Sequence, residues 1–203
     1  MGPGGGRRCG RGSGRARGSA IYAGGMLRLP LRVHPFEDLP GCGPAAAGPP
    51  LREELAAATA RVFGLEALLG GSVRLPDAAY NHRRRQYMAG DCLTMLERER
   101  DGESPVLGVT AVDLFLPRLN FVFGVADPDA GVAGISPPRL SPEVYAKKQE
   151  RACLVPRTGH DAVHCTGHRL GLSHCQQRRR LLPFAHAIAD ADTQCPGVRD
   201  DWW

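Results

Sequence analysis

The sequence predicts one domain of mixed α/β structure, with its strands grouped ahead of a helix that carries histidines. Three observations predict it. Residues 105–113 (PVLGVTAVD) and 119–125 (LNFVFGV) are rich in Val and Phe and read as strands. Residues 51–69 and 86–100 carry apolar side chains at helical spacing. Residues 162–171 read as a further helix, closed by Gly171.

The elements follow in order. Residues 26–33 alternate Leu27, Leu29, Leu31 and Val33 with other residues, as a half-buried strand would. Residues 40–50 are rich in Pro, Gly and Ala and read as a loop. The 51–69 helix places Leu55, Ala58, Val62, Leu65 and Leu69 on one face. Residues 72–75 read as a short strand, and the polar run at Arg83, Arg84 and Arg85 as the solvated start of a helix over 86–100. Tyr87, Cys92, Leu93 and Leu96 form that helix's apolar face. After the two strong strands come a turn at 127–131, one more edge strand at 132–136 and a helical stretch starting over 140–149. No internal repeat is present.

The chain has 203 residues, enough for one domain and tight for two. With 42% hydrophobic and 23% charged residues it fits an ordered globular protein. No apolar run of about 18 residues exists, so no membrane span is predicted. The net charge of +5 is concentrated in residues 1–25, which hold five arginines, ten glycines and no acid. Outside that tail, basic and acidic residues balance at 21 each. Bulk charge therefore does not imply a nucleic-acid face, and nucleic acid is not an expected partner. The tail reads as a flexible Gly/Arg-rich segment, with an over-extended start before Met26 as the plain account. An RNA-binding role would rest on this tail alone, and deleting it would abolish such affinity.

Seven cysteines show no disulfide-framework spacing, and no apolar signal segment follows the first arginines. A reducing, cytoplasmic setting is the expectation. Cys92 and Cys153 read as small core residues. Five of the seven histidines (His160, His164, His168, His174 and His186) fall within 27 residues. Histidine is the commonest metal ligand, so this cluster is the first place to seek function.

His164 and His168 stand four residues apart. On a helix that spacing puts both imidazoles on one face, one turn apart, within reach of one ion. Gly171 can end the helix and reverse the chain, letting His174 return as a third ligand. Three neutral ligands and an open fourth position describe a catalytic zinc site. Asp161 reads as an acid in the first turn of the helix, or as a partner to a ligand imidazole.

The stretch HCTGHRLGLSHC (164–175) resembles the long zinc-binding motif HExxHxxGxxHC of the archaemetzincins, a branch of the metzincin zinc metallopeptidases. The segments 105–127, 135–145 (ISPPRLSPEVY) and 184–192 (FAHAIADAD) are similar to that family's flanking strands and helix starts. The resemblance runs from about Met26 to the end. It implies a single zincin/metzincin-like domain over 26–203, a twisted mixed sheet flanked by helices, with an active-site helix. It also implies peptide or protein substrates and zinc held by His164, His168 and His174.

Two departures matter. The family motif has Glu after the first histidine, and this chain has Cys165. That carboxylate takes the proton of the attacking water, work typically worth 10²–10⁴ in rate. A shorter thiol with one proton-carrying atom is a poor substitute, so Cys165 marks the catalytic position with impaired activity expected. The family's second zinc pattern is also lost: Cys175 remains, but Arg180, Leu182, Arg199 and Trp202 stand at its other positions. One thiolate cannot hold a structural zinc, which needs four ligands. The expectation is one Zn²⁺ per chain. The competing readings are an impaired zinc metallopeptidase, a pseudoenzyme that binds zinc or peptide without turnover, and a decayed chain with neither. Sequence leaves the substrate's identity and the oligomeric state undetermined.

Overall fold

The structure is a computed structural model that describes residues 29–37, 49–140 and 151–169. The 1–25 tail, most of the 40–50 loop, His174, Cys175, His186 and the C-terminal segment lie outside the described residues.

Strand β1 (Leu31–Pro35) leads to helix α1 (Pro49–Phe63) and strand β2 (Ala67–Leu69). The expected helix over 51–69 thus stops early. Gly64 takes a φ of 63°, a left-handed conformation that closes a helix, and Leu65 N–H donates back to Ala60 O at 2.9 Å. The chain then turns out to lie parallel to β1, with Leu31 opposite Ala67. The strand expected at 72–75 reduces to one bridge between Val73 and Phe36.

The arginine run does not start a helix. After a 3₁₀ turn (Asp77–Ala79), β3 (Tyr80–Asn81) and β4 (Gln86–Met88) form a small hairpin. Arg83, Arg84 and Arg85 make its turn, where Arg85 has a φ of 56° and donates from N–H to Asn81 O. Helix α2 (Ala89–Arg98) begins three residues later than the periodicity suggests. Cys92, Leu93 and Leu96 of its expected face are buried, while Tyr87, expected on that face, is buried in strand β4 instead.

Strand β5 (Val106–Val109) is buried on both faces, as an interior parallel strand should be. β6 (Leu114–Phe115) pairs with β4, and β7 (Gly124–Asp127) with β8 (Val132–Ile135). The sequence suggested 132–136 as an edge strand. Instead β8 is wholly buried between β5 and β7, because its VAGI sequence suits the interior, and β7 takes the edge. The large sheet runs β2-β1-β5-β8-β7 and is parallel except for β7.

A 3₁₀ segment (Pro137–Leu140) precedes α3 (Arg151–Arg169). This helix was expected to begin at 162. It begins a full eleven residues earlier and runs through Pro156 and Gly159. Both are helix breakers in isolation, but tertiary packing overrides weak local preference. Thr158, Ala162 and Val163 are almost wholly buried.

The sheet has a core on each side. On one, Leu93 and Leu96 of α2 pack on Val106 and Val132. On the other, Leu51 and Leu55 of α1 and Ala162 and Cys165 of α3 pack on Leu31, Val33, Leu107, Val109, Ala133 and Ile135. The three-stranded sheet is tied in through Asp113. Its carboxylate accepts from Arg139 Nε and Nη2 and from Gln86 Nε2, the shortest bond being 2.6 Å. α3 packs against α1 and against β7 and β8 of the large sheet.

Candidate metal centre

Positions 161, 164, 165 and 168 recur at intervals of three and four on α3, so they form one stripe along the helix. It carries a carboxyl, two imidazoles and a thiol. His164 and His168 are half-buried, with their rings edge to face and centroids 4.5 Å apart. Their Nε2 atoms are 3.0 Å apart. Two nitrogens bound to one tetrahedral zinc at about 2.05 Å would stand about 3.3 Å apart. The pair therefore fits a shared ion with a shift of a few tenths of an ångström. Without metal, one Nε2–H donates to the other ring, which requires the two imidazoles to be in opposite tautomers at that atom.

Cys165, at the margin of that stripe, is turned into the core. It is 3% exposed and belongs to the core shared by the sheet and the two helices. Its Sγ lies 2.5 Å from the point that a Cβ on Gly124 would take. Burial, and then the neighbouring Asp161 charge, push its thiol well above the usual cysteine range. A thiolate at this position is therefore disfavoured, and the residue is a neutral packing group.

Asp161 is not in a first turn. It sits in the middle of α3, one turn before Cys165, and the helix-dipole account expected from sequence does not apply. The residue as a whole is partly exposed, but its Oδ2 is shut off from solvent and has no hydrogen-bond partner. That oxygen is 2.7 Å from the same Gly124 point. Desolvation raises its carboxyl to about 7. The sequence marks it only as a first-turn acid or as a partner to a ligand imidazole, and its place three residues before His164 is what puts it on the stripe. One position earlier, His160 also has a buried, unpartnered Nε2, and burial pushes its imidazole down to about 4. It is therefore neutral.

The arrangement brings together two of the three histidines expected to hold zinc, and His174 lies outside the described residues. Among the described residues no three potential ligands converge.

The sequence pattern of peptidase family M54 matches residues 65–199, most of the chain and all of α3. The chain belongs to peptidase family M54. The archaemetzincin of Pyrococcus furiosus is 40% identical over 136 residues, which are 64% of this chain and 70% of that protein. The archaemetzincin of Methanocaldococcus jannaschii is 39% identical over 131 residues, covering 64% and 71%. The crystal structure of the Methanopyrus kandleri archaemetzincin matches with a TM-score of 0.68 at 28% identity, covering 83% of this chain and 88% of that one. The Archaeoglobus fulgidus archaemetzincin, crystallised with malonate, matches with a TM-score of 0.66 at 26% identity, covering 82% and 92%. The M54 assignment makes this chain an archaemetzincin-type zinc metallopeptidase in family and fold, and it fits the mixed sheet flanked by helices. Peptides or proteins are the substrates such a family implies. Among the described residues no helix is long and apolar enough to cross a membrane.

Proposed function

We propose that this M54 chain binds one zinc ion through His164, His168 and His174 and hydrolyses peptide bonds slowly, with Cys165 standing where a general base would serve best. The observation that carries the reading is the 3.0 Å approach of the two Nε2 atoms on one helix face. Zinc at this position supplies Lewis-acid chemistry, activating a water molecule and polarising the scissile carbonyl.

The chain's own residues do the rest. Helix α3 fixes the spacing of His164 and His168, and both imidazoles must be neutral at Nε2 to bind. Cys165 keeps its proton and faces the core, so it does not take the proton of the attacking water. The rate is therefore expected to fall by the 10²–10⁴ that such help normally contributes. A single site is part of the proposal, since Arg180, Leu182, Arg199 and Trp202 occupy what the resemblance marks as the other positions of a second one. A cytoplasmic location is likewise proposed, on the cysteine usage, with Cys92 and Cys165 both free thiols.

The second reading is a pseudoenzyme that keeps zinc and peptide binding without turnover. The same buried, neutral thiol at Cys165 favours it. Metal analysis of the purified chain, paired with cleavage of a fluorogenic peptide library, tests both. One zinc per chain with weak cleavage is the expected result. Zero or two equivalents would overturn the site, and one equivalent without cleavage would select the pseudoenzyme.

A further inference from the structure

We propose that the tip of the three-stranded sheet, where the β3–β4 turn meets the loop at residues 116–120, is a docking surface for an acidic peptide segment. Zinc and the α3 histidines take no part in it.

Two turns that are distant in sequence are pinned together here. Arg84 Nη2 donates to the Leu119 and Asn120 carbonyls at 2.5 Å and 2.8 Å, and Arg84 Nε donates to Gln86 Oε1 at 2.8 Å. The buried Gln86 closes the link, donating from Nε2 to Asn120 O at 2.9 Å. Arg118 is thereby brought beside the arginines of the hairpin turn. Arg83, Arg84, Arg85 and Arg118 are all exposed. Among the described residues, Arg83, Arg85 and Arg118 have no ion-pair partner. Arg84 donates only to neutral acceptors, and its guanidinium lies 4.3 Å above the Phe115 ring. The nearby acids do little to offset this charge. Asp77 is held by Arg74 and Asp113 by Arg139, while Asp91 stands exposed in the first turn of α2. The tip therefore carries an excess of positive charge that solvent alone covers, although the chain outside residues 1–25 is balanced overall.

The backbone points the same way. Arg85 and Arg118 take φ values of 56° and 69°, and among the described residues they alone are non-glycine residues in the left-handed region. Glycine or asparagine adopts that conformation with less strain. Two arginines held there, in two adjoining turns, indicate that their side chains serve a contact. The chemistry of the tip selects a peptide over a nucleic acid. Guanidinium forks match carboxylates through paired, parallel hydrogen bonds. Single-stranded nucleic acid also calls for open aromatic faces on which bases stack. Here Arg84 lies over Phe115 and Arg139 over Phe121, each at 4.3 Å, and Tyr80 is packed against His82 and Tyr87. Leu119, 39% exposed beside Arg118, adds an apolar contact. The segment that fits has Asp or Glu residues in succession with an apolar residue among them.

The test follows binding of a fluorescein-labelled oligoglutamate peptide containing a leucine to the full chain, by fluorescence anisotropy. Wild type should bind it, with an affinity that falls as added salt screens the charges. The combined variant Arg83→Ser, Arg85→Gly and Arg118→Gly should bind at least about tenfold more weakly, since several exposed charge contacts are lost together. Glycine suits both left-handed positions, so the turns are kept. Should that variant not fold, Arg83→Glu decides. Its side chain makes no hydrogen bond or ion pair with a described residue, and the change should weaken binding about threefold or more. Serine in place of Arg7, Arg8, Arg11, Arg15 and Arg17 should leave most of the affinity, which separates the tip from the basic tail. No binding by wild type, equal affinity in wild type and the tip variants, or loss in the tail variant alone would overturn the proposal. Tighter binding of an oligouridylate than of the peptide, lost in the same tip variants, would overturn it in favour of a nucleic-acid surface.

Discussion

Gly124 of β7 and Cys165 of α3 fit together because the glycine has no side chain: the cysteine sulfur occupies the space a Cβ would need, 2.5 Å from its position. This contact sets how closely the helix bearing the histidines approaches the sheet edge. Gly124→Ala would also press on Asp161 Oδ2 at 2.7 Å and the Gly134 carbonyl at 3.1 Å. Overpacking of this kind costs about 1–3 kcal/mol. Urea denaturation should show that loss, and an unchanged midpoint would mean that α3 and β7 are not in close contact.

Restoring a carboxyl at the motif position is the second prediction. Cys165→Glu should raise peptide cleavage at least about tenfold, the low end of what acid–base assistance contributes. The same change places a larger group against Gly124, so the variant should also melt at a lower temperature than wild type. Equal cleavage rates for wild type and variant would remove position 165 from the account of impaired activity.

The buried carboxyl makes stability depend on pH in the metal-free chain. The folded value of Asp161, about 7, lies above its unfolded value, so the proton is held more tightly in the folded state. Its stabilising effect is complete below the unfolded value near pH 4 and is lost as pH rises towards 7. Asp161→Asn removes that dependence. It should be more stable than wild type at pH 8, by on the order of 1–3 kcal/mol given the residue's partial exposure, with the advantage shrinking towards pH 4. A pH-independent difference between the two chains would contradict the assignment.

Asp113 offers a test away from the histidines. It holds Arg139 and the buried Gln86 at once, with side chains of Asp113 and Arg139 that are 20% and 32% exposed. Removing the shared acceptor in Asp113→Ala takes away the bonds from Arg139 and one of the two bonds from Gln86 Nε2, which also donates to Asn120 O at 2.9 Å. That should cost about 1–3 kcal/mol in chemical denaturation. Arg139→Lys keeps the charge but loses the forked geometry, so it should fall between the two. No loss in Asp113→Ala would show that water replaces the carboxylate freely.

Removal of either helix ligand is the fifth prediction. His164→Ala or His168→Ala should abolish stoichiometric zinc binding, and acidification should release zinc from wild type as imidazoles take up protons. Zinc retained at one equivalent in either variant would place the metal elsewhere.

Much of the fold was legible in the residues themselves. The apolar face of α2 and the strand at 106–109 follow from periodicity, because side chains facing a core must be apolar wherever the chain goes. The spacing of His164 and His168 likewise forces their rings together once a helix forms. Boundaries were harder to read. The end of α1 at Gly64 was signalled by the glycine, yet the apolar spacing continued through Leu65 and Leu69 and masked it. The start of α3 was hidden by Pro156 and Gly159, whose local cost is outweighed by the burial of Thr158, Ala162 and Val163.

What the sequence by itself determined is the mixed α/β character and the pair of imidazoles, since both follow from short-range spacing along one chain. Tertiary structure alone decided that β8 is interior and β7 the edge, that Cys165 turns into the core, and that Asp161 shares its space above Gly124. Those outcomes depend on which distant segments meet, and desolvation, which sets the protonation of the thiol and the carboxyl, exists only once they have met.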